Sequence, residues 1–154
     1  MIFLRKVQKE DIEQIFAWAN DPDARNFSTN TKLITWDEHI VWFEAKLHDI
    51  NSFFYILTDD KDSKMGTIRF DRKGNQFILS YSIAKAYRGQ GLGAEIITLG
   101  LDKLKIEVEI SIEVIAFVKD TNAASFNIFS KLHFEKIKEE LINNELFFIF
   151  EKHV

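Results

Sequence analysis

"AKAYRGQGLGAEIITLG", residues 84–100, is the stretch on which the reading of the whole chain turns. Gly89, Gly91 and Gly93 stand at alternate positions and make up half of the 6 glycines in the chain. Arg88 precedes them. An amphipathic run follows, with Ile97, Gly100, Leu101 and Leu104 on one face of a helix predicted from about Gly93 to Ile106. The segment before it, "NQFILSYSIA" (75–84), reads as a strand. A bare turn between strand and helix gathers the unpartnered N–H groups of the first helical turn at the positive end of the helix dipole. Such a spot takes anions, and glycine lets a phosphate oxygen reach the main chain. Arg88 adds a planar cation suited to phosphate. The segment asks for a phosphate, and a pyrophosphate suits it best.

Other readings of the turn are weaker. No Lys-Ser or Lys-Thr follows the glycines, which excludes a P-loop. Gly89, Gly91 and Ala94 satisfy G-x-G-x-x-G/A, but a dinucleotide loop follows the first strand of a parallel sheet, and this one follows a run of strands late in the chain. A plain tight turn rarely uses three glycines and an arginine.

Composition sets the outer bounds. The 154 residues fit a single domain, 1–154. A chain of that length buries roughly 70% of its unfolded surface and needs no disulfide or structural metal. There is no cysteine, which removes thiolate zinc sites and a cysteine nucleophile and fits a reducing, cytoplasmic setting. The 4 histidines show no ligand spacing, so no metal is expected. Neither a signal-like N-terminus nor a run of ~20 apolar residues is present, so no membrane partner is expected. A net charge of −4 argues against nucleic acid.

Along the chain, "IFLRKV" (2–7) reads as a strand and "KEDIEQIFAWAN" (9–20) as a helix. "NDPDARNFSTNTK" reads as a loop of turn formers. A second helix opens at Thr35, which forms a capping box with Glu38. Trp36, Ile40, Phe43 and Leu47 line one side of it, and His39, Trp42 and Lys46 another. Segments 52–59, 64–72 and 75–84 form an antiparallel meander. A strand at 109–118, a helix at 121–132 with Phe126 and Phe129 inward, and a closing hairpin complete the order β-α-α-β-β-β-α-β-α-β-β. That order indicates a mixed α/β domain, of the α+β mixed-sheet kind.

"RGQGLG" matches R/Q-x-x-G-x-G/A, and "NAASFNIFSKLHF" (122–134) resembles N-x-x-A-x-x-x-Y-x-K-x-G-F at Asn122, Lys131 and Phe134, with Ser125 at the small position. By these motifs and its element order, the chain resembles the GCN5-related N-acetyltransferase (GNAT) superfamily over nearly its whole length. The resemblance implies acetyl-CoA as cosubstrate and direct attack of an amine on the thioester. It assigns the pantetheine arm to main-chain groups of Ile83 and Ala84. The pyrophosphate falls to the N–H groups of Arg88, Gly89, Gln90, Gly91, Leu92, Gly93 and Ala94. Asn122 would bind the pantetheine amides, with Asn127 either assisting or merely solvated. The family's usual tyrosine acid falls on Phe129, which leaves Tyr81, Tyr87 and His133 as substitutes, His133 more readily read as a turn residue.

Two N-terminal stretches bear on the acceptor. "AWANDPDARNF" (17–27) and "ITWDEHIVWF" (34–43) resemble the W-x-N-D/H-p-x-x-R and I-x-x-x-E-H-x-x-W patterns of bacterial enzymes that N-acetylate nucleotide-linked amino sugars. Ribosomal-protein N-terminal acetyltransferases share part of this layout. Trp18 and Trp42 offer faces for ring stacking, or belong to the core. Asn20, Arg25 and His39 offer polar contacts to a diphosphate, and His39 is also a candidate base beside Tyr81. The expected activity is N-acetylation of a small amine, most simply an amino sugar on a nucleotide. The alternatives are a protein N-terminal acceptor and a non-catalytic acyl-CoA-binding module. A monomer or homodimer is expected, since "ELFFIFE" (145–151) suits either an interface or a buried strand.

Overall fold

A computed structural model describes residues 1–154. Strands β1 (Ile2–Lys6), β2 (Ser52–Asp59), β3 (Gly66–Lys73), β4 (Gln76–Ile83), β5 (Glu113–Lys119), β6 (Glu135–Ile142) and β7 (Glu145–His153) form one seven-stranded sheet in the order β1-β2-β3-β4-β5-β7-β6. Helices α1 (Ile12–Ala19), α2 (Pro22–Asn26), α3 (Trp36–Leu47), α4 (Leu92–Val108) and α5 (Ala123–Lys131) cover it. No helix is long and apolar enough to cross a membrane.

Side-chain alternation along the strands splits the apolar residues between two layers. Tyr55, Leu57, Ile68, Phe70, Phe77 and Leu79 point to the face covered by α4 and α5, where Ile96, Ile97, Leu104 and Phe129 close the main core. Phe54 and Ile56 point the other way and meet Ile15 of α1 and Phe43 of α3 in a smaller core. Gly100 is bare because α4 lies tight against the sheet: a Cβ there would sit 2.7 Å from Ile68 Cδ1.

Local chemistry explains where the elements depart from expectation. The helix expected over 9–20 starts with a 3-10 turn, Lys9–Asp11, because the Asp11 carboxylate turns back to accept the Gln8 N–H at 2.8 Å. The expected loop contains α2. Asp21 caps it by accepting the N–H groups of Asp23 and Ala24, and Pro22 fills the first helical position. Glu109 takes a φ of 52° at the end of α4, so the strand expected from 109 begins at Glu113. The hairpin β6–β7 turns on Asn143 and Asn144 at φ 50° and 63°, the paired left-handed geometry of a two-residue loop. β7 lies between β5 and β6 with Phe147, Ile149 and Phe150 buried, so its apolarity serves this chain's own core.

The face of α3 is rotated from the one expected. Trp36 and Ile40 are 39% and 40% exposed, whereas His39 is 1% exposed beside Phe43.

One irregularity in the sheet makes the site. β4 and β5 run parallel and pair only over Gln76–Ile78 against Glu113–Ile115. Beyond that they splay apart, and the gap opens between Leu79–Ile83 and Ala116–Lys119.

Candidate active site

A cavity of about 950 Å³ runs from the glycine turn through this gap to α1, α3 and the α2 loop. That is ample for a cosubstrate arm and a small acceptor. At one end, Gly89 and Gly91 both take φ of 77°, and a Cβ on either would meet nothing within 4 Å. The left-handed backbone requires glycine, and the open space lets an anion reach the main chain. Gly91 is the N-cap of α4, so the first-turn amides of Leu92, Gly93 and Ala94 lie at the positive helix end. These features fit a diphosphate. Gly93 is bare for a second reason: a Cβ would lie 2.7 Å from Ile128 Cδ1, so it admits α5. Gln90 and Ala94 do not line the cavity.

Arg88 is placed differently from expectation. Its Nη1 and Nη2 donate to Asp23 and Asp21 at 2.9 Å each, its Nε donates to the Ile83 carbonyl at 2.9 Å, and its own N–H closes the preceding turn onto Lys85. The guanidinium ties the α2 loop to the glycine turn, with all three of its nitrogens already bonded within the protein. Burial raises the Asp21 carboxyl, but hydrogen bonds from Arg88, Ala24 and Asp23 outweigh it and hold it below the usual carboxylate range. Ala84 is committed as well, its N–H to Met65 at 2.8 Å and its carbonyl to Tyr87 at 2.9 Å. By strand alternation the N–H of Ile83 therefore points away from β3, toward the gap.

Midway, Tyr81 and Phe129 face each other with ring centroids 5.9 Å apart, and both line the cavity. The Tyr81 hydroxyl is 2.7 Å from Ser125 Oγ, and burial pushes its pKa up. Asn122 caps α5 by accepting the Ser125 N–H through Oδ1, which leaves its amide NH2 for a ligand. Asn127 is exposed and does not line the cavity. His133 takes φ 66° at the turn after α5, the position the family motif gives to glycine, and is a turn residue.

At the other end, Trp18 and Trp42 line the cavity. His39 does not. Its Nε2 donates to the Ile12 carbonyl at 2.8 Å, and Phe16, Trp36, Trp42 and Phe43 surround its ring. Burial lowers its pKa and keeps it neutral, so it is a core residue joining α3 to α1, neither a base nor a substrate ligand. Asn20 is also structural: its side chain accepts the Ile34 N–H at 2.8 Å and donates to the Ile34 carbonyl at 2.9 Å. Arg25 lines the cavity, but it donates to the carbonyls of Ala19, Asn30 and Lys32 and to Ser28 Oγ, and so shapes the loop. Lys119 donates to the Asn26 carbonyl at 2.6 Å and Asn143 to the Thr29 carbonyl at 2.7 Å, fixing the same wall.

Sequence reasoning missed Thr67, Arg69, Ser80, Phe117 and Phe147, which also line the cavity. The alternation in "TIRFD" puts Thr67, Arg69 and Asp71 on one face of β3, but nothing local says that the face looks into a cavity. Glu113, Glu151 and His153 bring ligand-type atoms within 4.8 Å of one another on the sheet surface. None of them lines the cavity, and they hydrogen-bond to one another and to Gln76.

Residues 2–135 match the model of the acetyltransferase (GNAT) domain. The chain belongs to the GNAT family. This GNAT protein is an acetyl-CoA-dependent N-acetyltransferase. It is 30% identical to the acetyltransferase PseH of Campylobacter jejuni over 138 residues, covering 88% of this chain and 83% of that one. Its fold is similar to spermidine N-acetyltransferase of Vibrio cholerae, solved in complex with CoA and spermine, at a TM-score of 0.89 with 14% identity, covering 99% of this chain and 95% of that one. A domain from Methanocaldococcus jannaschii superposes at a TM-score of 0.83 with 22% identity, covering 100% of this chain and 99% of that one. At such identities these two likenesses speak for the GNAT fold alone.

Proposed function

We propose that the enzyme moves the acetyl group of acetyl-CoA to the primary amine of a nucleotide-linked amino sugar. One observation carries the reading of the acceptor: Asp23 is the only carboxylate lining the cavity, and it is already paired with Arg88. A polyamine, or the charged N-terminus of a protein, would enter without an anionic partner. A sugar ring would find the face of Trp18, while Trp42 carries the Arg69 guanidinium. The W-x-N-D-P-x-x-R and I-x-x-x-E-H-x-x-W patterns support the same acceptor.

In the proposed reaction the diphosphate of the cosubstrate lies on the amides between Gly89 and Ala94. The pantetheine arm meets the Ile83 N–H and the Asn122 amide. The neutral amine attacks the thioester carbonyl carbon. A C–N bond forms, the tetrahedral adduct gives up the extra proton on its nitrogen and collapses, and the C–S bond breaks to give the amide and a thiolate, which takes up that proton to leave as the thiol. An alkylammonium titrates near ~10, so the amine must shed its proton first. The aromatic mouth lowers that cost by disfavouring the charged form. Tyr81, kept neutral by burial, donates its hydroxyl hydrogen bond to the leaving sulfur while Ser125 orients it. Phe129 leaves the family's usual donor position without a hydroxyl.

The test is thiol release from acetyl-CoA with a panel of UDP-linked amino sugars, spermidine and short peptides. Turnover is expected to be highest on a sugar. Faster turnover of spermidine or of a peptide amine would overturn the acceptor reading.

A further inference from the structure

We propose that Arg69 is the residue that selects the acceptor, gripping an oxyanion on it with the outer edge of its guanidinium. Arg69 lies on β3, cross-strand from Phe54 on one side and Ser80 on the other. It lines the cavity at the acceptor end. Its Nε donates to Asp71 Oδ2 at 2.7 Å, its only protein hydrogen bond. Nη1 and Nη2 donate to no protein group, and no unpaired side-chain nitrogen in the chain is sealed from solvent.

The group is also held still. Asp71 is itself fixed by Lys46 Nζ and Ser52 Oγ, each at 2.9 Å through Oδ1. The guanidinium carbon sits 4.9 Å from the Trp42 ring centroid and 5.4 Å from that of Phe54. Stacking below and a carboxylate at one edge leave the opposite edge aimed outward with its rotamer already fixed. Such a fork matches the two oxygens of a phosphate or carboxylate, and little side-chain freedom remains to be lost on binding.

The other charged groups of the lining strengthen the assignment. Arg25 spends its donors on the loop, and Arg88 is shared between Asp21 and Asp23. Arg69 is thus the one cation of the cavity whose two terminal nitrogens are both free of protein partners. Its field repels a polyamine and attracts an acceptor bearing phosphate. Arg69 is assigned on the premise that the acceptor enters at this mouth, as proposed above.

The experiment pairs acceptors that differ only in the oxyanion. A UDP-linked amino sugar is compared with its phosphate-free glycoside, and an amino acid with its amide, with spermidine alongside. Wild type, Arg69→Gln and Arg69→Lys are assayed at saturating acetyl-CoA. Arg69→Gln keeps a flat group over Trp42 and Phe54 but loses the charge and the fork. It is expected to raise KM for the UDP-linked sugar by about 30- to 100-fold, with kcat and the KM for acetyl-CoA within about twofold of wild type. Arg69→Lys falls between. The phosphate-free glycoside should show the same high KM in all three proteins. An unchanged acetyl-CoA KM also certifies folding of the variant. Calorimetric titration of the CoA-loaded protein with UDP reads the same contact without turnover.

If wild type favours the amino acid over its amide more than any sugar, and Arg69→Gln abolishes that preference, the sugar reading falls and Arg69 stands. If spermidine leads, both fall. Arg69 is overturned if wild type shows no oxyanion preference in turnover or UDP binding, or if that preference survives in Arg69→Gln.

Discussion

Replacing Gly91 with alanine separates two jobs that a glycine can do. Its φ of 77° costs any L-residue roughly 1–2 kcal/mol of backbone strain. For a domain of this size, that lowers Tm by about 2–8 °C. The added Cβ meets no protein atom within 4 Å, so strain is the whole cost in the free protein. Gly74, in the β3–β4 turn, offers a matched control. It has φ 62°, also meets nothing within 4 Å, and does not line the cavity. Gly74→Ala should therefore lose a similar Tm. Only Gly91→Ala should weaken acetyl-CoA, because its methyl stands where a phosphate oxygen would reach the amides. Displacing one or two charge-assisted hydrogen bonds costs about 2–4 kcal/mol, or roughly 30- to 700-fold in KM. Differential scanning calorimetry and initial rates against acetyl-CoA read the two effects independently. If both variants lost the same stability and kept the wild-type KM for acetyl-CoA, the diphosphate would not lie on this turn.

Tyr81→Phe should lower kcat by about 100-fold with both KM values preserved, and adding Phe129→Tyr should recover part of the loss. Stopped-flow thiol release reads this, and an unchanged kcat would remove Tyr81 from the reaction. His39→Ala should cost about 2–4 kcal/mol in denaturant unfolding while leaving the pH profile of kcat/KM unchanged, since His39 sits in the core and away from the cavity. Burial raises the carboxyls of Asp11 and Asp71, but hydrogen bonds from Arg5 and the Gln8 N–H to the first, and Arg69, Lys46 and Ser52 around the second, hold them below their ordinary value. The unfolded chain therefore binds more protons than the folded one as pH falls through about 4, and stability is lost below that point. Urea midpoints should be flat from pH 8 to pH 5 and fall below pH 4, less steeply in Asp11→Asn. At the other extreme, burial and the Glu107 contact raise the Tyr55 hydroxyl, so midpoints should also fall above pH ~10, where the unfolded tyrosine ionises and the folded one resists.

The parts of the fold that were legible are those set by short-range chemistry. The strand through "EVIAFV", the closing hairpin and the glycine turn before α4 each have a local reason and all are present, the first starting later than expected, at Glu113. Asp21 followed by Pro22 also announced α2, but the surrounding turn formers masked a helix of only 5 residues. The polar site candidates were harder to read, because polarity does not reveal partners. Arg25, Asn20 and Arg88 have the chemistry of ligands, yet nearby carbonyls, amides and carboxylates consume it. His39 was misplaced by the rotation of one amphipathic face. Three tryptophan and phenylalanine positions in "TWDEHIVWF" fit two stripes equally well, and only packing on α1 chooses between them. Arg69 stayed hidden because its importance comes from the splay of β4 and β5, a relation between distant segments.

The wall made by residues 20–34 hangs mainly from main-chain carbonyls, gripped by Arg25, Lys119 and Asn143. A carbonyl is present whatever side chain the residue carries. Asn26, Thr29 and Lys32 can therefore change identity without the loop losing its course. Mutation can retune which amines are welcome while the scaffold and the acyl-transfer apparatus stay untouched, an economical route by which one such enzyme gives rise to others with new acceptors.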